Sequence, residues 1–234
     1  MPDNIIENVV LKTGFVLYKP KNIVSGDFYW LHKRDEYLYF AVIDCTGHGV
    51  PGALLTMLAH NAINKAVIEK ELIDPTTILD SMNLDVKTAL KQDKDNPIQD
   101  SMEVGLVCLN TITNELLFAG ANISLTYIQN NVMKFAIAGK CSVGSVQDKS
   151  VSLPKTHSIS LNKEDSFYLY SDGLSDQFGG PKGKKFKYKQ LEDLLLSNSQ
   201  KPLDVQKQII NKTFDNWKGN LEQVDDVCLI GVRI

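Results

Sequence analysis

Several things this sequence lacks narrow what it can be. Cysteine is sparse and scattered: Cys45, Cys108, Cys141 and Cys228 form no C-x-x-C pair. That spacing argues against a zinc knuckle or a disulfide framework and leaves the four thiols as small core residues. No apolar run reaches the roughly 18 residues of a membrane span, and the N-terminal MPDNIIENVV has none of the character of a signal peptide, so a soluble cytoplasmic chain is expected. Excess positive charge is missing too. A formal net charge of -3 gives no electrostatic reason to expect nucleic acid or an anionic membrane as partner. No repeat or low-complexity stretch stands out. What remains is an ordinary globular composition, 43% hydrophobic over 234 residues, enough to bury a full core in one domain.

The chain is organised around Tyr39 to Leu55, YFAVIDCTGHGVPGALL. An unbroken apolar run ending in Asp44 passes through a glycine-rich turn into a periodic apolar segment, which reads as buried strand, tight loop and helix. Gly47 and Gly49 permit backbone angles that let the loop approach a ligand closely, and Pro51 suits the first turn of a helix. Two functional readings compete with a purely structural one. Gly47, Gly49 and Gly52 spell G-x-G-x-x-G, the dinucleotide fingerprint, but the segment that follows, Leu54 to Gln92, looks helical nearly throughout instead of returning promptly to a parallel strand. The other reading gives Asp44 charge of a metal ion.

In order, strands are expected at Gly14 to Tyr18, Asp27 to Lys33 and Glu36 to Asp44, the last two as an antiparallel hairpin whose register brings Asp27 and Asp44 to one edge. A helix from Val50 to about Lys70 places Leu54, Leu55, Leu58, Ala62 and Val67 on a buried face, and a second runs from Thr76 to Gln92. A charged loop, Gln92 to Ser101, leads to four strands read as a meander: Glu103 to Leu109, Glu115 to Ala119, Ser124 to Gln129 and Val132 to Ala138. Strands near Thr156 to Leu161 and at Ser166 to Tyr170 follow, then helices Lys189 to Ser197 and Leu203 to Trp217. The chain closes on a strand that begins with Asp225 and Asp226.

Asp27, Asp44, Asp172 and Asp225 share one grammar, each at a strand end: Asp27 and Asp172 beside Gly, Asp225 beside a second Asp, and Asp44 just before the Gly47 turn. Gathered carboxylates repel one another and are stable mainly with cations among them. Oxygen ligands without His or Cys select magnesium or manganese, and two such ions close together activate a water for in-line attack on phosphorus.

With those residues in place, SGDFYW (Ser25 to Trp30), DCTGHGVPGA (Asp44 to Ala53), AGAN (Ala119 to Asn122), LYSDG (Leu169 to Gly173) and QVDDVCLIGVRI (Gln223 to Ile234) resemble, in order, the motifs of the SpoIIE-like branch of the PPM-type metal-dependent serine/threonine protein phosphatases. The resemblance runs from about Phe15 to Ile234. It implies an α+β fold, an α-β-β-α sandwich of two mainly antiparallel sheets flanked by helices, with residues 1–13 a lead-in and 14–234 the phosphatase domain. It also implies two Mn2+ or Mg2+ ions. Asp44 bridges both; Asp27 and the Cys45 carbonyl help hold the first; Asp172 and Asp225 hold the second, with Asp226 open as the alternative to Asp225. Asp100 or Glu103 of DSME is open between a third ion's ligand and a plain strand-start carboxylate, the latter preferred.

His48 is open between a general acid for the leaving alkoxide and an anchor of the turn. Where other members use arginine for phosphate, the nearby cations are Lys19 and Lys21, of which Lys19 is preferred, lacking arginine's bidentate fork. Gly47 brings the loop to the substrate. The basic stretch PKGKKFKYK resembles a flap region and reads either as a solvated loop or as a docking site. The implied substrate is phosphoserine or phosphothreonine on a regulatory protein of the anti-anti-sigma kind, and the implied surroundings are an upstream sensor in a longer parent chain and a homodimer. A degenerate, non-catalytic binding module and a two-metal nucleotide phosphodiesterase are the alternatives.

Overall fold

A computed structural model of the chain describes residues 13–47, 49–91, 100–145 and 154–234. Residues 1–12 of the lead-in, most of the charged loop (92–99), residues 146–153 and His48 lie outside them. In chain order the elements are β1 (Gly14–Lys19), β2 (Asp27–Arg34), β3 (Tyr37–Cys45), α1 (Gly49–Asn64), α2 (Pro75–Leu90), β4 (Met102–Asn110), β5 (Glu115–Ala121), β6 (Leu125–Gln129), β7 (Val132–Ala136), β8 (His157–Ser160), β9 (Ser166–Tyr170), α3 (Gly173–Asp176), β10 (Phe178–Gly179), β11 (Lys184–Lys185), α4 (Tyr188–Asn198), α5 (Leu203–Lys218) and β12 (Val227–Arg233).

Two five-stranded sheets carry the architecture, one ordered β1-β12-β9-β6-β7 and the other β2-β3-β4-β5-β8, with every paired strand antiparallel. Alternation along single strands explains the layering, because successive side chains leave a strand on opposite faces. On β3, Phe40 and Val42 join β9's Phe167 and Leu169 and β12's Ile230 and Val232 between the sheets. Tyr39, Ala41 and Ile43 point the other way, onto Ala59, Ile63, Ile78 and Met82 of α1 and α2. On the far side, Tyr168 and Leu229 meet Leu191, Leu195, Ile210 and Phe214 of α4 and α5. Both faces of both sheets are thus covered, which is why these strands read as continuous apolar runs. The result is the α+β sandwich of helices, sheet, sheet and helices. Among the described residues no helix is long and apolar enough to cross a membrane.

Four local expectations change. The four strands read as one meander are two hairpins on different sheets. After β5 the chain turns at Asn122, whose φ of 63° departs from the strand, and crosses to the other sheet; β5 then takes β8 as its neighbour. The expected helix to Lys70 leaves α geometry at Lys65 for a π-helical turn, Lys65–Glu69, and the Arg34 guanidinium reaches across to donate to the Val67 carbonyl at 2.8 Å. Leu54 lies on the outer face of α1, 64% exposed against 5% for Leu55. β12 starts at Val227, since Asp225 and Asp226 spend their side chains on backbone amides before the ladder begins.

Candidate active site

The acidic positions come from both sheets to one edge of the sandwich. Asp27 opens β2 and Asp44 nears the end of β3, and the hairpin pairs them directly; on the other side of β3, Asp44 faces Glu103 at the start of β4. From the opposite sheet, β9 ends one residue before Ser171 and Asp172, and Asp225 and Asp226 precede β12. Asp27 carries the charge of Asp44; Asp44 carries that of Asp172, Glu103 and Asp225 and is hydrogen-bonded with Asp27; and Asp172 carries that of Asp225 and Glu103.

The loop that follows Asp44 is held by backbone contact. Gly47 has φ 85° and Gly49 φ 68°, left-handed angles that glycine takes without strain. Above and below it, Gly26 and Gly52 leave no room for a side chain: a Cβ on either would lie 2.4 Å from the Gly47 carbonyl oxygen. A Cβ on Gly26 would also come within 3.1 Å of the Cys45 carbonyl oxygen. The Thr56 hydroxyl, from α1, closes the arrangement against the carbonyls of Ser25 and Gly26 at 3.2 and 3.1 Å.

Electrostatically the cluster is uncomfortable without cations. Burial, followed by the neighbouring Asp44, raises the Asp27 carboxyl far above the usual range, and burial followed by Asp172, Glu103 and Asp225 raises Asp44. Burial, then Asp176, Asp225 and Glu103, pushes Asp172 up to about 6, with Lys185 pulling the other way. Glu103 is raised by burial and opposed by a hydrogen bond from Asn122 Nδ2 at 3.1 Å. The left-handed Asn122 thereby gives the AGAN motif a local role, since its side chain also donates to Ser142 Oγ at 3.1 Å.

The two adjacent acids differ in surroundings. Asp226 is 2% exposed, and its Oδ1 and Oδ2 accept the amides of Lys21 and Gly26 at 2.7 and 2.9 Å. Asp225 accepts the Asp226 amide at 2.9 Å through one oxygen and is half-buried beside Asp44 and Asp172. Lys19 does not join the cluster. Its ammonium is bound by Asp215 and Asn211 of α5 at 2.5 and 3.0 Å and lies over the Phe214 ring, because β1 packs its outer face on that helix. The basic stretch forms a small hairpin, β10 with β11, in which Lys185 pairs with Asp176 at 2.7 Å. Among the described residues, no three His, Cys, Asp or Glu side chains converge as a ready-made metal cage. Sequence reasoning quoted Ser171, Gly26 and Gly52 within motifs but gave them no role at the site. The first is visible only through its partner on the other sheet, the glycines only through the loop they admit.

Residues 34–234 match the family described as Stage II sporulation protein E (SpoIIE). The phosphoserine phosphatase RsbP of Bacillus subtilis (strain 168) is 21% identical over 223 residues, which are 93% of this chain and 51% of that protein, so the chain spans about half the length of this curated relative. Among solved structures, the SiaA-PP2C domain of Pseudomonas aeruginosa superposes with a TM-score of 0.91 at 30% identity, over 100% of this chain and 91% of that one. The PP2C phosphatase domain of SpoIIE from Bacillus subtilis, with a fragment of its regulatory domain, shares the fold at a TM-score of 0.73 and 16% identity, over 95% of this chain and 63% of the other. Motifs, sandwich and matches agree: the chain belongs to the SpoIIE family, within the PPM-type (PP2C) serine/threonine phosphatases.

Proposed function

We propose that this domain hydrolyses phosphoserine and phosphothreonine on a regulatory protein with Mn2+ or Mg2+ bound by the acidic cluster. The carrying observation is that Asp27, Asp44, Asp172 and Asp225 are delivered by opposite sheets to one edge, where burial and neighbouring carboxylates raise the pKa values of Asp27, Asp44 and Asp172. Asp44 stands between the two groups, beside Asp27 on one side and within reach of the charges of Asp172 and Asp225 on the other, which suits a ligand shared by two ions. Asp27 and the Cys45 carbonyl serve the first; Asp172 and Asp225 serve the second. Asp225 is preferred over Asp226, whose two oxygens are already taken by amides. Glu103 is the candidate for a third, loosely held ion.

A small hard cation keeps several waters and takes one or two carboxylates directly, so the open spacing of these acids suits it better than it would suit zinc. When bound, such ions supply an activated water and neutralise charge on the phosphoryl group. The chain's own part is to hold that charge in place. Asp44 is fixed between two strands, and Gly47 and Gly49 bring loop backbone close to the substrate phosphate. His48, outside the described residues, is retained as the candidate proton donor to the leaving alkoxide. With Lys19 committed to α5, the family's phosphate-binding arginine has no counterpart there.

Similarity to the phosphoserine phosphatase RsbP supports a phosphorylated protein as substrate. A regulator of the anti-anti-sigma kind is proposed as substrate, with a sensor elsewhere in a longer parent chain and a homodimeric assembly. The test is hydrolysis of para-nitrophenyl phosphate with Mn2+, with Mg2+ and with EDTA. Asp44→Ala and Asp172→Ala are each expected to lower metal-dependent turnover by about a thousandfold, the order expected when catalytic charge stabilisation is removed. Metal-independent turnover, or full activity in both variants, would refute the reading. A nucleotide panel cleaved faster than a phosphoserine peptide would move the substrate class to phosphodiesters.

A further inference from the structure

The two sheets are tied together at the acid cluster by one buried hydroxyl. Ser171, 2% exposed at the end of β9, accepts the Cys228 amide of β12 at 3.1 Å and donates to Asp27 Oδ2 of β2 at 2.5 Å. A serine hydroxyl has one proton, and an amide N–H can only donate. With the amide occupying a lone pair, the proton is left for an acceptor, and the carboxylate is much nearer than the alternative, the Cys228 carbonyl at 3.5 Å. The hydroxyl is thereby bonded to both sheets at once.

The rest of the surroundings fix Asp27's backbone, while its carboxyl meets Ser171 and, across the hairpin, the Asp44 carboxyl. The Asp27 amide donates to Ser25 Oγ at 3.1 Å, its carbonyl accepts from the Tyr18 hydroxyl at 3.1 Å, and the loop leading to it is pinned by Asp226. Asp27 itself is 2% exposed, so no bulk water shell orients its carboxyl.

We infer that Ser171 is a positioning residue: it holds Oδ2 of Asp27 so that the other oxygen, Oδ1, is presented to a divalent cation. This rests on the metal reading above. A hydrogen bond to a carboxylate fixes its rotation, and loss of such an outer partner typically weakens metal affinity 10–100-fold.

The experiment is calorimetric titration of the metal-free protein with Mn2+, comparing wild type, Ser171→Ala and Ser171→Thr, with thermal melting of each metal-free form alongside. Ser171→Ala is expected to bind Mn2+ about tenfold more weakly. Its turnover of para-nitrophenyl phosphate should return to within about threefold of wild type at saturating Mn2+, because Ser171 acts through Asp27 and not on substrate. Ser171→Thr keeps the hydroxyl and should bind within about threefold of wild type; it carries the test alone if Ser171→Ala is unfolded at the assay temperature. Mn2+ affinity unchanged in Ser171→Ala, or lost in Ser171→Thr, overturns the role of Ser171. A wild-type protein that takes up no Mn2+ overturns the metal reading itself, a different result from the same titration.

Discussion

At the scale of single residues, the site is built as much by side chains that are missing as by those that are present. Gly173 follows Asp172, and a Cβ there would lie 1.8 Å from the Asp226 carbonyl oxygen and 2.8 Å from its carbon. The obstacle is backbone, with no side chain that can swing aside, so Gly173→Ala must push β12's entry away from α3. A loss of about 1–3 kcal/mol is expected, the usual range for overpacking, and urea denaturation of the variant checks it. A midpoint equal to wild type would mean that the two segments slide apart freely. Because the displaced carbonyl belongs to the residue that clamps Lys21 and Gly26, Mn2+ affinity should fall with stability in this variant.

At the scale of elements, the N-terminus of α2 shows how one acid serves structure instead of chemistry. Asp74 accepts the Thr77 amide and hydroxyl, both at 2.8 Å, through Oδ2, and the Thr156 hydroxyl at 2.6 Å through Oδ1, which ties the helix to the residue before β8. Burial opposes the charge, but the bonds from Thr156, Thr77 and Thr76 outweigh it and hold the carboxyl below its ordinary value. A group depressed in this way stabilises the fold above its unfolded pKa of about 4 and loses that contribution as pH falls through its folded value. Asp74→Ala is therefore expected to cost about 1–2 kcal/mol at pH 7 by denaturant unfolding, and the gap from wild type should narrow on going to pH 3.5. A gap that widens in acid would contradict the assignment.

The same elements show what could be read in advance. Asp27, Asp44, Asp172 and the Asp225-Asp226 pair were legible because a carboxylate at the end of an apolar strand leaves a local mark in the sequence. The hairpin register that joins Asp27 to Asp44 followed from the alternation of β2 and β3. Leu54 and Leu55 were both assigned to the buried face, because a helix dense in apolar residues hides which side meets the sheet; β3's Tyr39 and Ile43 decide it. The crossing between sheets after β5 rests on one left-handed asparagine and the competing pairing of β8, neither of which has a period. Lys19 was drawn toward phosphate by proximity in sequence, whereas β1 presents it to α5.

At the scale of the molecule, the acids are divided between the two sheets, so cations bound among them would hold the sandwich together as well as catalyse. Ligand bound to the native state alone stabilises it by RT ln(1 + [L]/Kd), about 2.7 kcal/mol at a hundred times Kd. For a domain of this size that corresponds to a rise of roughly 5–10 °C in Tm. Calorimetric melting with saturating Mn2+ against EDTA measures it, and superimposable curves would count against cations spanning the sheets.

The strand order sets a timetable as well as a shape. β12, which lies between β1 and β9 and pairs with both, is the last element of this domain to leave the ribosome. Until then β1 lacks its strand neighbour among the described residues, Ser171 lacks the Cys228 amide it accepts, and the loop before Asp27 lacks the carboxylate that pins it. Contacts between the two ends of a long chain form slowly, since loop closure must precede them. A nascent or C-terminally clipped chain thus carries Asp27, Asp44 and Asp172 without the strand that aligns them, and the proposed metal site is complete only once β12 has paired.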